Sequence, residues 1–355
     1  MEELSVLVIG KCKPKYPVIQ GGMGIRVSAH GLAGAVAKAG GVGTIASVAL
    51  GLESKHYTGE NYFDANRLAL ADEIRWAKEI APEGVIAVNC MFAITDFDDM
   101  VRTSAANGAD MIIVGAGLPM GLPALTADFP DVALVLIVSS VKAASLIIRK
   151  WEKTAHRLPD AFIVEAPSTA GGHLGAKYEE VYNPDLALEK VIPELVEFLR
   201  NEIKADIPVI GAGGVWDRAD MLRVFEFGAR GIQMGTRFVC TEECDASDSF
   251  KQLYIDSTPD DVTLVKSPVG LPGRVIMNKF AKKLAEGREF HHKCFATCLK
   301  HCSFKVDKKG FCICTALSKA HKGNVEDGLV FCGSNAHRAT KVTTVDEIFM
   351  ELFML

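Results

Sequence analysis

The sequence lacks a hydrophobic run long enough to cross a bilayer. Its longest uninterrupted aliphatic stretch is Val132 to Val138, far below the ~20 residues a membrane span needs. It also lacks an excess of basic charge. Lys and Arg number 39 against 44 Asp and Glu, a formal net charge of −5, which argues against general nucleic-acid or anionic-membrane binding. The segment Met1 to Lys11 has early acids and neither a basic leader nor a cleavage site, so no signal peptide is expected and the cytoplasm is the default. There the 10 cysteines are expected to be reduced or metal-bound rather than paired. Low-complexity segments are missing. So is a Gly-x-Gly-x-x-Gly after the first strand candidate: Gly21-Gly22-Met23-Gly24 has a different spacing, which counts against a doubly wound dinucleotide fold.

What remains is a chain of 355 residues, 49% hydrophobic and 23% charged, with 32 glycines. That composition fits a folded α/β protein with many tight turns. Eight short apolar runs predict strands: Pro17–Gln20, Gly43–Ser47, Val85–Asn89, Met111–Val114, Ala133–Val138, Phe162–Glu165, Pro208–Gly211 and Gly231–Met234. Each is apolar nearly throughout, as parallel strands covered on both faces are. Amphipathic helices are expected between them. Ser28 is expected to cap one running to Lys38, and Asp217 to cap one with Met221, Leu222 and Phe225 inward. Others are marked by Leu68, Ile74, Trp76 and Ile80, by Asp96 through Ala105, by Val141–Trp151 and by Leu186–Ile203. The alternation predicts a closed (β/α)8 TIM barrel over residues 1–257. Residues 258–355 lose the rhythm and read as an appendage packed on the barrel, with a helix near Phe280–Glu286 and a last one at Val345–Leu352.

In such a barrel the active site lies at the C-terminal strand ends. Gly211-Ala212-Gly213-Gly214 and Gly235-Thr236, after the last two strands, fit a phosphate grip, helped by the helix opening at Asp217. The glycine-floored mouth suits a flat ring cofactor. Lys142 would place positive charge near the ring, Asn89 would bond ring or ribityl oxygens, and Glu165 would accept from a sugar hydroxyl or anchor the glycine loop. His173, in Ala170-Gly171-Gly172-His173-Leu174-Gly175, is the leading catalytic candidate. An imidazole near its ordinary pKa of about 6.5 serves as a general base at neutral pH.

Six of the ten cysteines fall between Cys294 and Cys332. If Cys294 to Cys302 is helical, Cys294, Cys298 and Cys302 share one face, with Cys312 as a fourth ligand for zinc or an iron–sulfur cluster. The bland alternative is a set of buried thiols packing the tail. His291-His292 lie beside them. Cys240 and Cys244 read as structural.

Pro17–Gly24, Ala170–Gly175, Gly211–Gly214 and Gln233–Phe238 together resemble the nitronate monooxygenase family over roughly residues 10–280. The flavin-type enoyl-acyl-carrier-protein reductases are its close relatives. The resemblance implies an FMN-bound TIM barrel. It places Gly22 and Met23 at the ring, Asn89 and Lys142 among the flavin contacts, Gly213, Gly214, Gly235 and Thr236 at the phosphate, and Gln233 and the Ala170–Gly175 loop nearby. His173 matches the family's active-site histidine. The implied reaction oxidises a nitronate to a carbonyl compound and nitrite. The alternatives are an enoyl-thioester reductase using NAD(P)H, and a flavin- and metal-bearing electron-transfer protein. Pro167-Ser168-Thr169 and the cysteine-rich tail depart from the family pattern. The expected partner is a small molecule or acyl thioester, with oligomeric state left open, a homo-oligomer included.

Overall fold

The computed structural model describes residues 6–288, 290, 294–307 and 310–354; His291 and His292 lie outside them. In chain order the strands are β1 (Val18–Gln20), β2 (Val42–Ala46), β3 (Val85–Met91), β4 (Met111–Gly115), β5 (Ala133–Val138) and β6 (Ala161–Glu165). Then come β7 (Gly172–His173), β8 (Val209–Ala212), β9 (Gly231–Met234), β10 (Val262–Lys266) and β11 (Pro272–Ile276). β1 to β6, β8 and β9 close into one parallel barrel, and β10-β11-β7 form a small antiparallel sheet. All eight barrel strands fall within two residues of the runs read from the sequence.

Alternate strand residues face opposite sides. In β4, Met111 and Ile113 fill the barrel while Ile112 and Val114 meet the helices. The interior is packed solid, and Leu7 and Ile9 of the first segment join it from below.

The outer layer contains α1 (His30–Lys38), α2 (Tyr62–Ile80), α3 (Phe97–Ala106), α4 (Leu122–Leu125), α5 (Val141–Ala155), α6 (Leu188–Phe198) and α7 (Arg218–Glu226). After β9 follow α8 (Thr236–Val239), α9 (Asp248–Ile255), α10 (Lys279–Ala285), α11 (Ser303–Asp307), α12 (Ile313–His321) and α13 (Val345–Phe353). Ser28 does not cap α1. Its hydroxyl accepts from the Met23 N–H, and two distant carboxylates satisfy the helix end: Asp245 takes the N–H groups of Ala29, Gly31 and Leu32, and Glu73 takes that of His30. Asp217 does cap α7, but Leu222 faces outward and Val224 takes the inner position. Leu68 is likewise on the outer side of α2, whereas Ile80 is partly exposed but lies against Gly34 of α1. Among the described residues no helix is long and apolar enough to cross a membrane.

Packing is continuous across the expected boundary at residue 257. One core joins Val18 and Ile232 of the barrel to Val275, Leu329 and Phe353 of the tail. The tail crosses the top of the barrel, where β11 pairs with β7, and returns as α13 beside α7. The stretch from Cys294 to Cys302 is not helical. It is irregular and runs extended only around Leu299, which bridges Ile94, with Thr95 N–H to Cys298 O at 3.0 Å and Lys300 N–H to Ala93 O at 2.9 Å.

Candidate active site

A cavity of about 280 Å³ opens at the C-terminal ends of the barrel strands, roofed by the tail. Its floor is glycine. A Cβ on Gly22 would stand 2.4 Å from the Asn89 Cβ, so only glycine lets the β1 loop lie against Asn89. Met23 sits beside it, near Gly235. Across the cavity, Gly213 and Gly214 hold φ of +98° and +76°, a left-handed conformation that a side chain resists. Among the described residues, the backbone N–H groups of Gly213, Gly214, Gly235 and Thr236 donate to no protein acceptor. Two adjacent loops thus offer unpaired donors, the arrangement of an anion-binding nest. The α7 end adds nothing to it: Asp217 and Asp220 cap it and Arg338 neutralises both, at 2.6 and 3.0 Å.

His173 lies on β7, half-buried, with its Nε2 2.7 Å from the Ser267 hydroxyl and its ring edge-on to Phe331 at 4.9 Å. Burial pushes its pKa down to about 4. It is therefore neutral at pH 7 and a weaker base than the sequence suggested. Glu165, at the end of β6, moves the other way: burial lifts it to about 7, against the pull of the Arg274 guanidinium. Arg274 is 2% exposed and donates to the carbonyls of Ala170, Pro167 and Ser168. It fixes the loop that leads into Gly171-Gly172-His173.

Gly22, Met23, Asn89, Glu165, Ala170, Gly171, Gly172 and His173 all line this one cavity. So do Gly213, Gly214, Gln233, Gly235 and Thr236. Gly175 does not. It stands behind the loop, where a Cβ would meet the Ser139 hydroxyl at 2.3 Å. Lys142 is exposed: Ser140 caps α5, and the helix carries Lys142 away from the mouth in its first turn. Among the described residues no Lys or Arg lines the cavity.

Among the described residues no three His, Cys, Asp or Glu side chains are placed to hold a metal ion, although Cys298, Cys302, Cys312 and Cys314 share one small cluster. Cys294 is exposed, Cys298 and Cys302 are half-buried and Cys312 is buried, because the irregular segment does not stack them on one helical face. Cys240 and Cys244 are buried, with thiols donating to the Lys251 and Val27 carbonyls.

Several contributors escaped the sequence reading. Ser267 and Arg274 come from the tail. So does the turn Gly333-Ser334-Asn335, whose backbone and side chain bond Thr236 Oγ1, the Thr169 carbonyl and the Gly214 carbonyl. One signal was present: a lone arginine in the otherwise apolar run Pro272–Ile276.

The nitronate monooxygenase family profile matches residues 5–354. The chain belongs to the nitronate monooxygenase family. The match includes the tail, well past the resemblance seen near residues 10–280. The chain is 27% identical to a probable nitronate monooxygenase of Staphylococcus saprophyticus, over 80% of this chain and 82% of that protein. It is also 27% identical to the (3aS,4S,5R,7aS)-5-hydroxy-7a-methyl-1-oxo-octahydro-1H-indene-4-carboxyl-CoA dehydrogenase of Mycobacterium tuberculosis, over 77% of this chain and 66% of that one. FabK from Thermotoga maritima shares the fold with a TM-score of 0.73 at 23% identity, covering 96% of this chain and 92% of FabK. A nitroalkane oxidase from Streptomyces ansochromogenes does so at 0.69 and 18%, covering 96% and 95%. Family membership makes this chain an oxidoreductase enzyme with a (β/α)8 barrel.

Proposed function

We propose that this enzyme binds FMN and oxidises alkyl nitronates to a carbonyl compound and nitrite. The observation that carries the reading is a neutral His173 facing a glycine-floored cavity whose far side offers four unpaired N–H groups. The residues fit FMN. Gly213, Gly214, Gly235 and Thr236 would hold the phosphate, and Gly22, Met23 and Asn89 would lie against the ring. The Gln233 Oε1 is buried with no hydrogen-bond partner, as an acceptor awaiting a ligand N–H would be. Ala170 to Gly172 bring backbone close to the ligand, and Gly175 seats their loop on Ser139. Bound FMN would supply the electron acceptor for the substrate and the reductant for oxygen.

The histidine's low pKa argues for the nitronate rather than the neutral nitroalkane. A base of pKa about 4 is poorly matched to removing a proton from a weak carbon acid at pH 7. A nitronate arrives already deprotonated. His173, pinned by Ser267 and Phe331, then orients the anion through one ring nitrogen and needs no proton transfer before oxidation.

A second reading, reduction of an enoyl thioester by NAD(P)H, is favoured by the apolar wall that Leu299, Ile313, Leu317 and Leu329 of the tail give the cavity. The test is direct. Purified protein should carry FMN and release nitrite from a propyl nitronate in air, far faster than from 1-nitropropane at the same pH. His173→Ala should keep the flavin and lower turnover by ~10²-fold, the cost of a mispositioned substrate. Absence of nitrite, with nicotinamide oxidation that depends on a crotonyl thioester, would replace the first reading by the second.

A further inference from the structure

Cys298 and Cys314 both line the cavity. They also belong to one small apolar cluster with Ile25, Tyr62 and Phe304. Within that cluster the two thiols are near enough for each to perturb the ionisation of the other. They arrive there from separate elements. Cys298 sits in the irregular segment tied to residues 93–95 of the barrel. Cys314 sits in the first turn of α12, directly after Ile313. Cys298 is half-buried and open to the cavity, whereas Cys314 is buried.

We propose that Cys298 and Cys314 form a reversible dithiol–disulfide site in the wall of the substrate chamber, oxidised by a low-molecular-weight disulfide. The Cys298 thiolate attacks one sulfur of the small disulfide. That S–S bond breaks, a mixed disulfide forms on Cys298, and the first small thiol leaves. Cys314 then gives up its proton and attacks the Cys298 sulfur, and the second small thiol leaves. Two protein thiols lose two hydrogens and two electrons, and one small disulfide becomes two thiols.

The order of attack follows from the environment. Cys298 is the less buried of the two and opens to the cavity, so it meets the small disulfide first, and the buried Cys314 resolves the mixed disulfide. Burial pushes Cys12, Cys90, Cys240 and Cys244 up to about 12, which leaves them inert. The new bond would join the Leu299 and Ile313 parts of the chamber wall and close a loop across the tail. Cavity shape would then depend on the state of the thiols.

The full-length protein with its bound flavin is incubated with oxidised glutathione, blocked with iodoacetamide and digested without reductant. A cross-linked pair of peptides carrying Cys298 and Cys314, two hydrogens lighter than the separate peptides and released by dithiothreitol, is expected. Cys314→Ser should stop at a glutathione adduct on Cys298, and Cys302→Ser should leave the cross-link intact. If both thiols of the parent remain open to iodoacetamide after oxidation, the proposal falls. It falls equally if Cys298 links to Cys302 or Cys312, or if the pair reacts only after a zinc chelator is added. The parent's cross-link decides the matter even if a variant fails to fold, and it is independent of nitrite release.

Discussion

Burial acts on His173 and Glu165 with opposite sign, and folding stability should register both. Folding holds His173 at about 4 against an ordinary 6.5. Between those values the unfolded chain binds a proton that the folded chain does not. Stability from this group is therefore full above 6.5 and lost as pH falls through about 4. The shift corresponds to about 3 kcal/mol at most, less because the ring partly faces the open cavity. Glu165 sits at about 7 against 4.5, so its contribution is full below 4.5 and lost as pH rises through about 7. In the parent the two slopes oppose each other. Single replacements separate them. The parent's stability advantage over His173→Gln should shrink as pH is lowered from 6.5 to about 4. Its advantage over Glu165→Gln should shrink as pH is raised from 4.5 to about 7. Melting curves of the three proteins across this range are the check, and parallel pH profiles would contradict the assignment. At Gly213 the test is cofactor retention. A side chain there would meet the Thr169 hydroxyl at 2.8 Å in a left-handed backbone conformation, so Gly213→Val should purify with little flavin. Fully yellow protein would count against the phosphate site.

The element that matters most at the site is the shortest one. β7 has two residues, yet its pairing with β11 sets His173 opposite Gly273 and Gly172 opposite Arg274. Arg274 then reaches under the loop to three carbonyls. Arg274→Met would keep the volume and leave those acceptors without donors. Each unsatisfied buried group costs about 1–3 kcal/mol, so a loss of about 3 kcal/mol and a looser His173 loop are expected. Lysine should rescue only part of this, because one ammonium lacks the guanidinium's planar spread of donors. A lowered melting temperature together with weaker FMN binding checks the prediction; an unchanged melt would sink it. This element also marks where the sequence stopped being legible. The eight barrel strands were readable because strands buried on both faces are written as apolar runs. β7 was not, because two residues carry no periodicity and their partner lies about a hundred positions away. Ser28 misled because its hydroxyl found Met23, while Asp245 and Glu73 came from elsewhere to cap α1. The cysteine spacing misled because a period of four was taken as a helix, where the chain is irregular beside residues 93–95.

At the scale of the whole molecule, the barrel and its tail are one folding problem. After β9 the chain supplies only the short α8 before it leaves the barrel wall. The outer layer is completed much later by α13. Phe353 stacks on Tyr16 at 4.3 Å, and Phe349 lies 5.5 Å from the same ring and against Gly41. Arg218 of α7 donates to the Leu352 carbonyl at 2.7 Å. Thr343 is bound to the chain around Cys240 and Glu242 at 2.9 and 2.8 Å. The division at residue 257 therefore cuts through a core rather than between two. A chain ending at Ser257 would expose Tyr16, Gly41 and Phe238 where α13 had covered them, and would lose the β11 partner of the His173 strand. It should not form a stable barrel. Phe349→Ala in the full chain isolates the packing part of that effect and should cost about 3–5 kcal/mol, as large-to-small changes at buried aromatic positions do. Circular dichroism melts and limited proteolysis distinguish the outcomes. A truncated 1–257 chain that is monomeric, protease-resistant and melts cooperatively would show that the tail is an accessory after all. Its failure to fold, with the full chain intact, would mean that the cysteine-bearing segment is held at the cavity by the same packing that closes the barrel.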